Sequence, residues 1–167
     1  MGNLRPTGEV NMEILPGLRG MLNWHPLFVH FPIALWIGAL IFEALAVARS
    51  SDDWHKTAVR LLYLGTLFGV AAAGTGLLAE KSVMEEGPAR EAFEMHETMM
   101  YITMSVAAGL CGLAFFKRNG FTPGLRKLFL LGLLILAGVM TVGADRGAQM
   151  VFQYGVSVDW SKANPKK

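Results

Sequence analysis

The stretch LFLLGLLILAGVMTVGA, residues 128–144, decides the fold because it contains no charged side chain. Three further stretches are similarly apolar, namely residues 27–48, 61–79 and 98–116. Glu43 is the one charged residue in the four stretches together. A helix that crosses the hydrocarbon core of a bilayer needs about 20 apolar residues, with a range of about 17 to 25. A soluble helix would instead show a polar stripe on the face that meets water. The sequence therefore predicts an all-α fold, a bundle of four transmembrane helices.

The composition of the 167-residue chain agrees with a membrane protein. Only 17% of its residues are charged, against about 25% in a typical soluble domain, and the mean hydropathy is +0.39. The net charge is +2 and no basic stretch is interleaved with aromatic residues, which excludes nucleic acid as a partner. Cys111 is the single cysteine, so the sequence offers neither an internal disulfide nor a cysteine cluster for zinc.

The distribution of charge predicts how the helices are oriented. The first and third connections, residues 49–60 and 117–127, hold seven Lys and Arg residues, whereas the second, residues 80–97, is mostly acidic. Short loops rich in Lys and Arg stay in the cytoplasm. We therefore expect both termini on the outer, periplasmic side of a bacterial inner membrane.

Three regions are predicted along the chain. Residues 1–24 carry Arg, Pro and Glu but no continuous apolar core, so we expect an extramembrane tail rather than a secretory signal. Residues 25–158 are the predicted membrane domain, and residues 159–167 are a polar C-terminal tail. Pro26 and Pro88 suit the first turns of the first and third helices, where no backbone donor is needed.

Three of the four histidines lie near the outer ends of the predicted helices. His25 and His30 open the first helix, and His96 lies at the outer end of the third. Because inward side chains on facing helices hold haem in a bundle and histidine is an axial ligand of its iron, we predict a bis-histidine haem b held by His30 and His96. Either histidine of the first helix can turn inward, so His25 is an alternative ligand. Ala34 and Gly38 follow His30 at four-residue steps and predict a groove of small residues for the flat macrocycle.

Two other interpretations of these histidines stay open. One is a divalent metal held by His25, His30 and His96 with a carboxylate, because histidine and carboxylate together suit a transition metal. The other is a purely structural role, in which interfacial histidines cap helices or bond to lipid head groups.

Two further ionisable residues have simpler interpretations. Glu43 lies toward the inner end of the first helix, and we expect an ion pair with Arg49 or Arg60, with a proton relay as the alternative. His55 lies in the first connection beside two aspartates, and we expect it to be solvated. No Gly-x-Ser-x-Gly elbow, P-loop or dinucleotide fingerprint occurs in the sequence, which favours an electron carrier or accessory subunit over an enzyme.

The first helix opens with HPLFVHFPIAL, residues 25–35, which resembles the bacterial membrane family known as domain of unknown function 2231. Members of that family share the motif H-P-x-x-V-H-F-P-I-A-L, a glycine-rich second helix, a histidine that opens the third helix and a closing G-x-x-x-V-x-x-x-G-V-x-V segment. Here these features match Gly74–Gly76, His96 and residues 147–158. Many relatives carry a paired glycine where this chain has Gly147 followed by alanine, which weakens the close turn expected after the fourth helix.

The resemblance implies four membrane helices and covers nearly the whole chain, from His25 to Val158. Relatives joined to c-type cytochrome modules imply a redox setting. Two functions from different classes follow. The first is a b-type cytochrome-like electron-transfer protein near the outer face, whose partners besides the lipid bilayer are a c-type cytochrome or other subunits of a membrane complex. The second is a cofactor-free structural subunit that packs against a larger respiratory or photosynthetic complex.

Overall fold

The computed structural model of the chain describes residues 21–83 and 86–158, together with Ile14 and Leu18. These residues form four α-helices and one short 3-10 helix, with no strand among them. The helices are α1 (His25–Arg49), α2 (Asp52–Ala79), the 3-10 helix Glu80–Ser82, α3 (Pro88–Phe116) and α4 (Pro123–Phe152). All four α-helices are long and apolar enough to cross a membrane, which confirms the predicted fold. The predicted tail over residues 159–167 and most of the N-terminal tail lie outside the described residues.

The helices extend beyond the apolar stretches, most clearly at the start of α2. This helix begins at Asp52, because the Ser51 hydroxyl accepts a hydrogen bond from the Trp54 amide at 3.5 Å and two aspartates occupy the first turn. A serine cap and acidic residues both stabilise a helix N-terminus. The first connection is therefore only Ser50 and Ser51, with Ser50 at a φ of 49°. The prediction of a connection over residues 49–60 is wrong, since most of it is helical.

The remaining helix ends lie at proline, threonine and glycine residues. α3 begins at Pro88, as predicted, and α4 begins after Thr122, whose hydroxyl caps the helix. α4 ends in a tight turn in which the Val156 amide donates to the Met150 carbonyl at 3.0 Å and Gly155 has a φ of +66°. Glycine suits this left-handed position because it has no β-carbon.

The four helices form a bundle in which each helix packs against two others. α1 lies between α2 and α4, and α3 lies between the same two helices, so α1 and α3 stand on opposite corners. The core between them contains large side chains that are at most 4% exposed. Its members include Trp36, Leu62, Phe129, Leu133 and Leu136.

The two ends of the bundle differ in their side chains, and we call them the histidine end and the basic end. The histidine end contains the starts of α1 and α3 and the ends of α2 and α4, and it includes His25 and His96. The basic end contains the starts of α2 and α4 and the end of α3, and it includes Arg60, Arg118 and Arg126. Seven Lys and Arg residues lie toward this basic end, namely Arg49, Lys56, Arg60, Lys117, Arg118, Arg126 and Lys127.

Large apolar side chains cover the outward faces of all four helices. A soluble monomer seldom exposes apolar patches larger than a few hundred Å², whereas lipid tails solvate such a surface. The exposed set includes Phe31 and Ile41 on α1, Leu64, Leu67 and Val70 on α2, Ile102 and Phe115 on α3, and Leu131, Leu134 and Ile135 on α4. These faces are where the bundle contacts lipid.

Gly65 and Gly69 bring the backbone of α2 close to the Trp36 indole of α1. A β-carbon at Gly65 would lie 2.7 Å from Trp36 Cδ1, and one at Gly69 would lie 3.1 Å from Trp36 Cη2. A β-carbon at Gly74, further along the same helix, would meet nothing within 4 Å. The two glycines therefore fix how α1 and α2 pack, and Gly74 does not.

Replacing Gly65 by alanine is expected to destabilise the bundle, because the added methyl group would overlap the Trp36 indole. Overpacking of this kind costs about 1–3 kcal/mol, which exceeds the gain of about 1 kcal/mol from the higher helix propensity of alanine. Gly74→Ala is the matched control and should be neutral or stabilising. Thermal unfolding of both variants in detergent tests this packing, and equal melting temperatures would contradict it.

Candidate functional site

Two histidines meet across the interior of the bundle at the histidine end. The rings of His25, on α1, and His96, on α3, have centroids 6.2 Å apart and planes inclined at 86°. Both side chains are half-buried. Because α1 and α3 stand on opposite corners, the pair spans the diagonal of the bundle.

A backbone carbonyl fixes each of these rings. His25 Nδ1 donates to the Ala72 carbonyl of α2 at 3.0 Å, and His96 Nδ1 donates to the Gly143 carbonyl of α4 at 2.7 Å. The Thr75 hydroxyl lies 3.5 Å from His25 Nδ1 and donates to the same Ala72 carbonyl. A neutral imidazole that donates from Nδ1 keeps the lone pair of Nε2 for another partner.

Glycines make room for both rings. A β-carbon at Gly76 would lie 3.1 Å from His25 Cε1, and one at Gly147 would lie 3.3 Å from Cε1 and Nδ1 of His96. Both distances are tighter than ordinary van der Waals contact. Gly147 thus lies inside α4 against His96, rather than in the turn expected there, and the turn that ends α4 is made at Gly155.

The His30 side chain does not face the His25–His96 pair. Its side chain is exposed, and its Nδ1 donates to the Pro26 carbonyl of the same helix at 2.6 Å. Ala34, one turn on, is exposed as well, and Gly38 faces α2, where a β-carbon would lie 3.3 Å from Leu61 Cδ1. The structure therefore brings His96 together with His25, while His30 and Ala34 lie on the outward face of α1.

One family model, described as "Predicted membrane protein (DUF2231)", matches residues 21–160. The chain belongs to the DUF2231 family. This confirms the resemblance based on the sequence motifs, and it agrees with the four helices that are long and apolar enough to cross a membrane. No curated protein and no solved structure matches the chain.

A seven-residue spacing in this DUF2231 chain is the signal that could have selected His25 over His30. Residues seven apart lie on the same face of a helix, since two turns contain about 7.2 residues. On α1 the buried residues that continue the series from His25 are Pro32, Ala39 and Ala46. On α3 the buried residues in series with His96 are Ala89, Thr103 and Leu110.

The histidine pair offers two metal-binding side chains rather than three. Within residues 21–83 and 86–158, no group of three or more His, Cys, Asp or Glu side chains could hold a metal ion together. Two acidic residues at this end, Glu80 and Glu94, form ion pairs with Arg90 at 3.2 Å and 3.0 Å. A set of His25, His30, His96 and a carboxylate is therefore not assembled in this part of the chain.

A second buried pair lies toward the basic end. His55 Nδ1 is 2.7 Å from Glu43 Oε2, and the two residues are 7% and 0% exposed. The rings of Phe121 and Phe129 pack on His55 at centroid distances of 4.3 Å and 5.7 Å. Glu43 Oε1 is buried and has no hydrogen-bond partner among the described residues.

This pair corrects two predictions. His55 is not solvated in a connection, because α2 begins at Asp52 and carries the imidazole inward with the buried face of the helix. Glu43 pairs with His55 rather than with Arg49 or Arg60. The missed signal is the helix start at Ser51, which places His55 in the buried series that continues through Ala58, Leu62, Gly65, Gly69 and Ala72.

Proposed function

We propose that this DUF2231 protein is a membrane electron carrier that holds one haem b between His25 and His96. The observation that carries the proposal is the meeting of these two imidazoles across the diagonal of the bundle, 6.2 Å apart. Cofactor sites in helix bundles are built from inward side chains on facing helices. His25 thus takes the ligand position for which the sequence favoured His30.

The donor chemistry of the pair would fit haem iron, for which histidine is a common protein ligand. Histidine ligands of metals generally donate their other ring N–H to a carbonyl or carboxylate, which orients the ring and raises its basicity. His25 and His96 both have such a partner, in Ala72 and Gly143.

Small and apolar residues surround the pair. Gly76 and Gly147 lie against the two rings without side chains of their own, and Met99 and Met100 of α3 adjoin Gly143. Haem iron bound there would take up and release one electron. The chain's own residues hold the two imidazoles in place through α2 and α4.

The same proposal includes an orientation and partners. The basic end faces the cytoplasm of a bacterial inner membrane, because positively charged connections stay inside. The histidine end, with both chain termini, then faces outward. An electron carrier at that face exchanges electrons with a c-type cytochrome or with other subunits of a membrane complex.

A visible absorption spectrum of the full-length protein tests the proposal. Protein expressed with ample haem and purified in mild detergent should carry about one haem b per chain, with a Soret band that shifts and sharpens on reduction. Colourless protein that is fully helical would refute it. That outcome would favour the cofactor-free packing subunit, which should then co-purify with a larger complex.

A further inference from the structure

A cleft opens at the basic end of the bundle, between the starts of α2 and α4 and the end of α3. Its volume is about 560 Å³. Its charged side chains are four cations, Lys56, Arg60, Arg118 and Arg126, and one carboxylate, Asp52. The other polar side chains of the lining are His55, Tyr63 and Asn119. The cleft is therefore strongly cationic, at the opposite end of the molecule from the histidine pair.

Part of this positive charge has no ion-pair partner among the described residues. Arg126 forms an ion pair with Asp52, yet its Nε is buried without a hydrogen-bond partner among the described residues. The Arg118 guanidinium lies on the Phe115 ring, 5.1 Å from its centroid. Within the described part of the chain, neither Arg60 nor Arg118 forms an ion pair with a carboxylate. Two guanidinium groups are thus left to face the cleft.

The chemistry of the cleft suits phosphate. Guanidinium groups present planar pairs of N–H donors that match phosphate oxygens. One wall of the cleft is apolar and includes Val59, Ala114 and Phe115. Phe115 is itself 54% exposed on the face that meets lipid, so the cleft is continuous with the membrane surface.

We propose that this cleft binds the phosphate of an anionic phospholipid head group, with Arg60 and Arg118 as its main contacts. Basic pockets between transmembrane helices are sites for such head groups. The apolar wall that continues to the lipid face favours a lipid over a soluble phosphate. The site does not depend on haem, because it lies at the opposite end of the bundle from His25 and His96.

Native mass spectrometry of the full-length protein in detergent tests the proposal with three probes. These are phosphatidylglycerol, phosphatidylcholine with the same acyl chains, and inorganic phosphate. We expect phosphatidylglycerol to be retained in preference to both others. Replacing both Arg60 and Arg118 by glutamine should weaken its binding about thirtyfold, or about 2 kcal/mol, since each cation contributes about 1 kcal/mol.

The matched control replaces Arg49 and Lys127 by glutamine. Both residues are exposed cations at the same end, and neither lines the cleft. The two substitutions remove the same amount of charge as those at Arg60 and Arg118. The affinity of this control variant for phosphatidylglycerol should change less than threefold. Equal weakening in the two double variants would overturn the site, as would equal retention of phosphatidylcholine or tighter binding of inorganic phosphate. The comparison of lipids on the unmodified protein stands even if a variant fails to fold.

Discussion

His25→Ala and His96→Ala are each expected to abolish haem binding, whereas His30→Ala is expected to retain it. Each of the first two removes one of the facing imidazoles, and loss of a metal ligand should exceed the 10- to 100-fold effect typical of a residue that only orients a ligand. His30 is exposed and bonded to its own helix, so its loss leaves the pair intact. Haem content per chain and the reduced spectrum measure the three variants.

His30→Ala is the matched control for this experiment, because it removes a histidine from the same helix five residues away. The alanine variants also lose one hydrogen bond to a carbonyl, worth about 1 kcal/mol, so circular dichroism must show that they remain helical. Loss of haem in His30→Ala with retention in His25→Ala would contradict the assignment. It would return the ligand role to the pair that the sequence favoured, His30 and His96.

His55→Leu is expected to destabilise the bundle by about 3 kcal/mol, because a buried carboxyl group that loses its hydrogen-bond partner lies at the upper end of the usual cost for an unsatisfied buried group. Glu43 is fully buried, and one of its oxygens already lacks a hydrogen-bond partner among the described residues. Without His55 the other oxygen would lose its partner as well. Glu43→Leu should be costly for the converse reason, because it leaves His55 Nδ1 without an acceptor.

The double variant Glu43→Leu with His55→Leu should be more stable than either single variant. Replacing a buried pair by apolar residues is often neutral or stabilising, since no group is then left unpaired. Unfolding of the four proteins in detergent gives the coupling energy. Lys56→Ala is the surface control, because its contact with Asp53 at 3.8 Å is exposed and such pairs contribute little. Additive effects of the two leucine substitutions would contradict a coupled pair.

The existence of the four helices follows from the sequence, but their lengths do not. Uncharged runs mark the segments that need lipid, and residues 128–144 are sufficient to predict one of them. The helices continue past these runs because capping and acidic first turns stabilise them in water as well, as at Ser51 and Asp52. Apolar composition indicates which segments lie in lipid, whereas hydrogen bonding at the helix cap determines the residue at which a helix begins.

The sequence predicts at which end of the bundle the candidate site lies, but it predicts only some of the residues that form the site. Topology alone places His25, His30 and His96 at similar depth. His25 and His30 are five residues apart, which turns their side chains about 140° apart around the helix. The packing of Trp36 against Gly65 fixes the rotation of α1, and therefore decides which histidine faces inward. Such packing depends on the neighbouring helix, so the sequence of α1 alone does not specify it.

The electron paramagnetic resonance spectrum of the oxidised, full-length protein tests the His25–His96 pair. Hydrogen bonds to Ala72 and Gly143 hold the two imidazole planes 86° apart. We predict a low-spin ferric signal of one haem per chain, with the strong anisotropy of nearly perpendicular imidazole ligands. A folded protein supplied with haem that gives no ferric signal, or only the high-spin signal of iron with a single histidine, would contradict it.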